Sequence, residues 1–253
     1  MFSQQINKVN YINRVVKQFA HPAPSTLQAI SWELEEARPE EVLEWAVRTY
    51  GSSLAMATAF GAEGCVLLDM LSKLGPIAQE VRIFNLDTGY QFDETLQMVD
   101  RIKDRYGLNV ELVRAKETVS EMENRFGGPI YGTNPDECCH IRKVVPLKET
   151  LEGHAAWLSA IRRDQTNARA AHGMVEWDGK FGLVKISPLA QWTRDEVWAY
   201  IEANDVPFNP LHKLGFMSIG CFPCTRPVAE GEHERAGRWA GHNKTECGLH
   251  RRD

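Results

Sequence analysis

Six cysteines stand at positions 65, 138, 139, 221, 224 and 247, and their surroundings divide them into three kinds. Cys65 lies in "GCVLLDML", an apolar helix face where a thiol packs as a small hydrophobe. Cys138 and Cys139 are adjacent in "DECCHIRK", and Cys221 and Cys224 form a C-x-x-C pair in "IGCFPCTRP". Two such pairs in a reducing compartment point to metal ligation rather than disulfides. Zinc commonly takes chelating pairs with spacers, whereas adjacent cysteines send their side chains in divergent directions. The separate corners of a 4Fe–4S cube accept thiolates so arranged. Spacing alone favours the cluster and leaves zinc and unliganded thiols open. Cys247 has no neighbouring cysteine and sits in "KTECGLHRR", six residues from the end of the sequence. Basic neighbours favour the thiolate, the nucleophilic form. Gly248 frees the backbone to fold over a site. An inert thiol on a frayed, exposed terminus fits the same local context.

Composition limits what the thiols can serve. At 253 residues with 43% apolar content, the chain has the material for one large domain or two small ones with a real core. A formal charge of -5 argues against a nucleic-acid coat or a membrane-surface protein, while permitting a local basic pocket. No apolar run reaches the length of a membrane span, and "MFSQQINKVN" has no secretory h-region. The expectation is a soluble cytoplasmic protein, with no nucleic-acid or membrane partner.

Something must bring these residues together, and the chain's periodicity says what. Residues 1–50 read as a helical segment. "TLQAISWELEEA" puts Leu27, Ile30, Trp32 and Leu34 on roughly one face, and "RPEEVLEWAVRTYG" has a proline start and a glycine stop at Gly51. Residues 51–204 alternate. The runs "SLAMATAF", "VRIFNLD", "NVELVRA", "AAWLSAI" and "GLVKISPL" read as strands. "CVLLDMLSKLG", "TGYQFDETLQMVDRIKDRYG" and "TRDEVWAYIEAND" read as helices, the last capped by Thr193. Such alternation implies an α/β fold, a mostly parallel twisted sheet with helices on both faces. Ligands in such sheets sit beyond the carboxyl ends of the strands, here at "FGAEG", "LDTGYQ", "RRDQTNARA" and "SPLAQW". Residues 205–253 are dense in Gly, Pro, His and Cys and read as a loop-rich functional tail of the same domain.

"CCHIRKVVPL", "GCFPCTRPV", "GRW" and the terminal "ECGLH" together resemble the assimilatory adenylyl-sulfate reductases, the cluster-containing branch of the 3'-phosphoadenylyl-sulfate reductase family. "LDTGYQFDET", "AFGAEG" and "IRRDQTNAR" resemble that family's LDTG segment, modified pyrophosphate loop and arginine-rich substrate segment. The resemblance runs from about residue 50 onward. It implies an adenine nucleotide alpha hydrolase-like fold and reduction of adenylyl sulfate to sulfite and AMP, in sulfate assimilation toward cysteine biosynthesis. It casts Cys247 as a mobile nucleophile that takes up the sulfonate as a thiosulfonate, with thioredoxin or a similar thiol donor releasing sulfite. It casts Cys138, Cys139, Cys221 and Cys224 as ligands of a 4Fe–4S cluster, and Lys143 as a charge between cluster and sulfate, with Arg142 beside it. Substrate contacts are expected from Thr58, Phe60 and Gly61 after the first strand and from Leu86, Asp87, Thr88 and Gly89 after the second. Arg162, Arg163 and Arg169 are further candidates, as are Arg235, Arg238, Trp239 and His250 in the tail.

Three other readings compete. Reduction of the 3'-phosphorylated nucleotide, alone or with dual specificity, is the nearest, although family members for that substrate generally lack the two cysteine pairs. An ATP-pyrophosphatase of the same fold would need an SGGxDS-type loop, which "ATAFGAEG" is not. A four-cysteine zinc module leaves Cys247 without a role.

Overall fold

A computed structural model describes residues 22–250. The part of the N-terminal helical expectation that falls on residues 1–21, and residues 251–253, lie outside the described residues. Six strands form one sheet in the order β3-β2-β1-β4-β6-β5, with β1 Leu54–Ala57, β2 Arg82–Asp87, β3 Val110–Arg114, β4 Ala156–Leu158, β5 Val175–Asp178 and β6 Leu183–Ile186. The first four and β6 run parallel. β5 pairs antiparallel with β6 at the edge, in a register that sets Trp177 opposite Val184. The expected mixed, mostly parallel sheet is therefore present. The hairpin strand β5 is absent from the sequence reading because "VEWD" is short and half polar.

Alternate residues of each strand enter different cores, as the two-residue period requires. Leu54 and Met56, Ile83, and Ala156 and Leu158 face a large cluster. This cluster takes the apolar sides of helices Pro39–Tyr50, Ala62–Ser72, Met98–Tyr106 and Arg194–Asn204. Ala55, Phe84, Leu86 and Trp157 face the opposite side with Leu147 and Leu151 of helix Val145–Leu151, so helices cover both faces. Helix Pro24–Leu34 buries Leu27, Ile30 and Leu34 but leaves Trp32 71% exposed. At 100° per residue Trp32 lies well off the stripe that 27, 30 and 34 define, so its expected burial is corrected. Helix Pro39–Tyr50 ends at Gly51, with φ +50°, as its glycine stop predicts. The single helix expected over 88–107 is two, Asp93–Leu96 and Met98–Tyr106. Thr193 caps helix Arg194–Asn204 by accepting from the Glu196 amide.

The cysteine pair at 138–139 ends the short helix Pro135–Cys139, which continues through a π turn, His140–Val144, into helix Val145–Leu151. Pro146 explains the turn: it has no N–H for the carbonyl of Arg142, and its ring crowds that carbonyl, so the preceding turn opens.

Candidate active site

Sheet order reverses direction between β1 and β4, and a cavity of about 210 Å³ opens at their carboxyl ends. Its floor is the turn from β1 into helix Ala62–Ser72. Phe60 takes φ +53° there, Gly61 is the N-cap, and the first amides of the helix face the cavity at its positive end. Thr58 Oγ1 accepts from the Phe60 amide at 3.1 Å and steadies the turn. Leu86 and Thr88 stand at the end of β2, Trp157 and Ser159 at the end of β4, and Arg169, Arg235, Arg238, Trp239, Cys247 and His250 close the space from above.

The tail through residue 250 is docked, not loose. Glu246 is 2% exposed and forms a paired contact with Arg169, Nε and Nη2 each 2.8 Å from a carboxylate oxygen. Lys180 Nζ donates to the Gly248 carbonyl at 2.7 Å, and His172 Nε2 donates to the His250 carbonyl at 3.1 Å. The His250 ring stacks parallel on Trp157, centroids 5.8 Å apart, and Leu249 packs into the Trp157 cluster. Lys244 pairs with Asp136. Cys247 is thereby half-buried in the cavity wall. Burial pushes its thiol up, but Lys143, the Leu249 amide and Arg238 outweigh burial and Glu246 and hold it below the ordinary thiol range. Lys143 makes no ion pair among the described residues. Burial pulls its ammonium down, while Cys221, Cys139 and Cys247 outweigh that and raise it, so it stays charged. Arg238 donates to the Ile219 carbonyl at 3.2 Å and lies 4.4 Å from the Trp239 ring, without a carboxylate partner among the described residues. Arg235 is drawn down to about 10 by burial and by Arg169 and Arg238. Burial and four basic neighbours hold His250 well below the usual imidazole range, which leaves it neutral.

A second, smaller cavity adjoins the first. Cys138, Cys139, Cys221 and Cys224 all line it, with Tyr90, Arg142 and Trp239, and Lys143, Cys221 and Trp239 belong to both walls. Thr88 Oγ1 lies 3.2 Å from Cys221 Sγ. Burial first, then the crowding of the other three thiols, pushes Cys138 up to about 12. Among the described residues no three Cys, His, Asp or Glu side chains are grouped to hold a single metal ion. Four soft donors spread around one cavity form a donor set that suits a multinuclear group.

The remaining sequence candidates lie outside the large cavity. Phe60 contributes a buried ring to the core and its backbone to the turn. Asp87 accepts from Arg114 at 2.7 Å and from the Gly89 amide at 3.0 Å. Gly89, with φ +74°, fits where a Cβ would meet Val119 at 2.6 Å. Arg142 is spent on the carbonyls of Thr88, at 2.8 Å, and Glu117. Arg162, fully buried, binds Glu63, Asp164 and Glu234, and Arg163 binds Glu35 and the His172 carbonyl. Burial selected these arginines for structural pairing, which residue type alone does not reveal. Sequence reasoning missed Glu246, Lys180 and His172. A glutamate next to Cys247 was the one available signal.

The phosphoadenosine phosphosulfate reductase domain model matches residues 53–227. The chain is 46% identical over 229 residues to a Gloeobacter violaceus phosphoadenosine 5'-phosphosulfate reductase, covering 89% of this chain and 94% of that one. It is also 46% identical to an adenosine 5'-phosphosulfate reductase of Staphylococcus haemolyticus, covering 83% and 86% of the two chains. The crystal structure of a phosphoadenylyl-sulfate reductase from Candida auris superposes with a TM-score of 0.70 at 31% identity, over 81% of this chain and 98% of that one. A Candida glabrata FMN adenylyltransferase, 14% identical with a TM-score of 0.54, shares the fold alone.

Proposed function

This chain belongs to the phosphoadenosine phosphosulfate reductase family, and from that premise we propose that it reduces adenylyl sulfate to sulfite and AMP in sulfate assimilation. The observation that carries the reading is the Cys247 thiol, held below its ordinary pKa, in one cavity with the uncompensated charges of Lys143 and Arg238. The helix start at Gly61 and Ala62 suits the 5'-phosphate, and Lys143 and Arg238 suit the sulfonate oxygens. The Cys247 thiolate attacks the sulfur, the bond from sulfur to the phosphate oxygen breaks, and AMP leaves with that electron pair. The chain then carries Cys247–S–SO3⁻. A dithiol donor of the thioredoxin kind attacks Cys247 Sγ, sulfite departs, and the donor's second thiol resolves the mixed disulfide. The two electrons come from the donor as it becomes a disulfide. Cys138, Cys139, Cys221 and Cys224 would hold a 4Fe–4S cluster, whose negative charge beside the cavity Lys143 offsets.

A mass measurement tests this. Without reductant, adenylyl sulfate should yield one AMP per chain and an adduct of roughly 80 Da on the C-terminal peptide. Cys247→Ser should bind nucleotide and form none. An adduct on another cysteine, or turnover by the serine variant, refutes the mechanism. The name of the Gloeobacter relative favours a second reading, the 3'-phosphorylated substrate. Equal or higher kcat/KM for that nucleotide would replace the first reading.

A further inference from the structure

We infer that Glu246 and Arg169 form a positioning pair that seats the Cys247 thiol, so that Arg169 serves the tail and not the substrate. The inference rests on the proposed role of Cys247. Arg169 is 6% exposed and gives Nε and Nη2 to Glu246 while Nη1 donates to Gln165, and Thr166 Oγ1 adds a bond to the same carboxylate at 3.1 Å. Arg235 donates to the Thr245 carbonyl at 2.9 Å and lies 3.5 Å from Glu246. Two of the cavity's four cations thus meet a carboxylate supplied by the chain, and Lys143 and Arg238 do not. The residue next to the thiol is the one most firmly held. A planar fork on a carboxylate fixes direction as well as distance, which a single lysine contact does not. Glu246 therefore sets where the Cβ of Cys247 points, and the contacts of Lys180 and His172 hold the backbone beyond it.

The same pair explains why the tail stays seated. The carboxylate occupies an arginine pair that would otherwise bind an anion, so opening the tail leaves two buried cations unpaired. That is costly, and it makes the seated state the resting one.

The test compares full-length wild type with Glu246→Gln, Arg169→Lys and a control, Glu44→Gln, whose partner Arg48 is surface-exposed. Hydrogen exchange of residues 245–250 is followed in unliganded protein. Single-turnover adduct formation and nucleotide Kd are measured alongside. Exchange should quicken roughly 100-fold in Glu246→Gln, less in Arg169→Lys, and not in the control. Adduct formation should slow by about 10- to 100-fold with Kd unchanged within about two-fold. Circular dichroism and Tm exclude a variant that fails to fold, and Arg169→Lys, which keeps the charge, remains informative in that case. Unaltered exchange in both variants overturns the latch. Faster exchange with unaltered adduct formation overturns the positioning role. Kd weakening in step with the rate places Arg169 on the substrate and overturns it too. If the wild type forms no adduct with either nucleotide, the proposed function fails, and the exchange measurement still decides whether the pair holds the tail.

Discussion

A cysteine, a lysine and an arginine share one cavity wall. Cys247 is pushed up by burial and brought down by Lys143, the Leu249 amide and Arg238, and Lys143 is the largest of the three. A thiol lowered in this way is ionised at a more acidic pH than a free one, so its alkylation by iodoacetamide should persist below the ordinary thiol range. Lys143→Met removes the main attraction and leaves burial in place, so the midpoint must rise. Alkylation of the C-terminal peptide at neutral pH should then slow by about ten-fold, the effect of one pH unit on thiolate fraction. An unmoved midpoint would take Lys143 out of contact with the thiol. Arg238 can be displaced without touching it. A Cβ on Gly220 would run into its guanidinium, the movable end of a flexible side chain. Gly220→Ala should cost less than about 1 kcal/mol in urea unfolding, yet lower kcat/KM by about ten-fold or more as Arg238 leaves the cavity. Large instability with intact kcat/KM would show that Gly220 serves the backbone instead.

Elements decide which residues meet. The five parallel strands were legible because each is a short run bounded by turns, four of them mostly buried and apolar, "VRIFNLD" above all, and β3 at the edge half polar. Their carboxyl ends located the cavity, so Gly61, Leu86 and Thr88 followed from position, whereas Thr58 followed from the family resemblance. Arginine roles were not legible. Arg162, Arg163 and Arg169 fall within eight consecutive positions and have the same chemistry, but the loop after β4 turns one toward Glu63, one toward Glu35 and one toward the tail. That division depends on loop direction and on carboxylates about 75–130 residues away in the chain. Strand β5 escaped notice for a related reason. An edge strand with one partner carries polar residues, and its turn at Gly182 places Lys180 against the tail.

Across the molecule, the four paired thiols join two distant stretches. Helix Pro135–Cys139 and the 3-10 turn Phe222–Cys224 meet at the small cavity, and single bridges tie Gln91 to Cys221 and Thr225 to Arg238. A group bound by all four would fasten the region after Asn204 to the sheet domain. Anaerobically prepared protein should contain about four iron and four sulfide per chain. Cys139→Ser should lose both and lower Tm by at least ~5 °C, since binding energy from a shared group is folding energy. Cys247→Ser should keep both. Iron and acid-labile sulfide assays with thermal unfolding check this, and stoichiometric zinc in the wild type would end it.

The π turn at His140–Val144 sets stability against activity in the length of the chain. It holds one residue more than a regular helix needs between Cys139 and Pro146, and it is the segment that presents Lys143 to both cavities. A deletion of one residue there, combined with Pro146→Ala, would restore the regular hydrogen-bond ladder and strengthen the helix. It would also rotate everything on one side by about 100° relative to the other, parting the lysine from the cysteine pair. A search for hardier variants that scores only heat resistance would drift toward that shorter chain and arrive at a sturdier protein with nothing left to do.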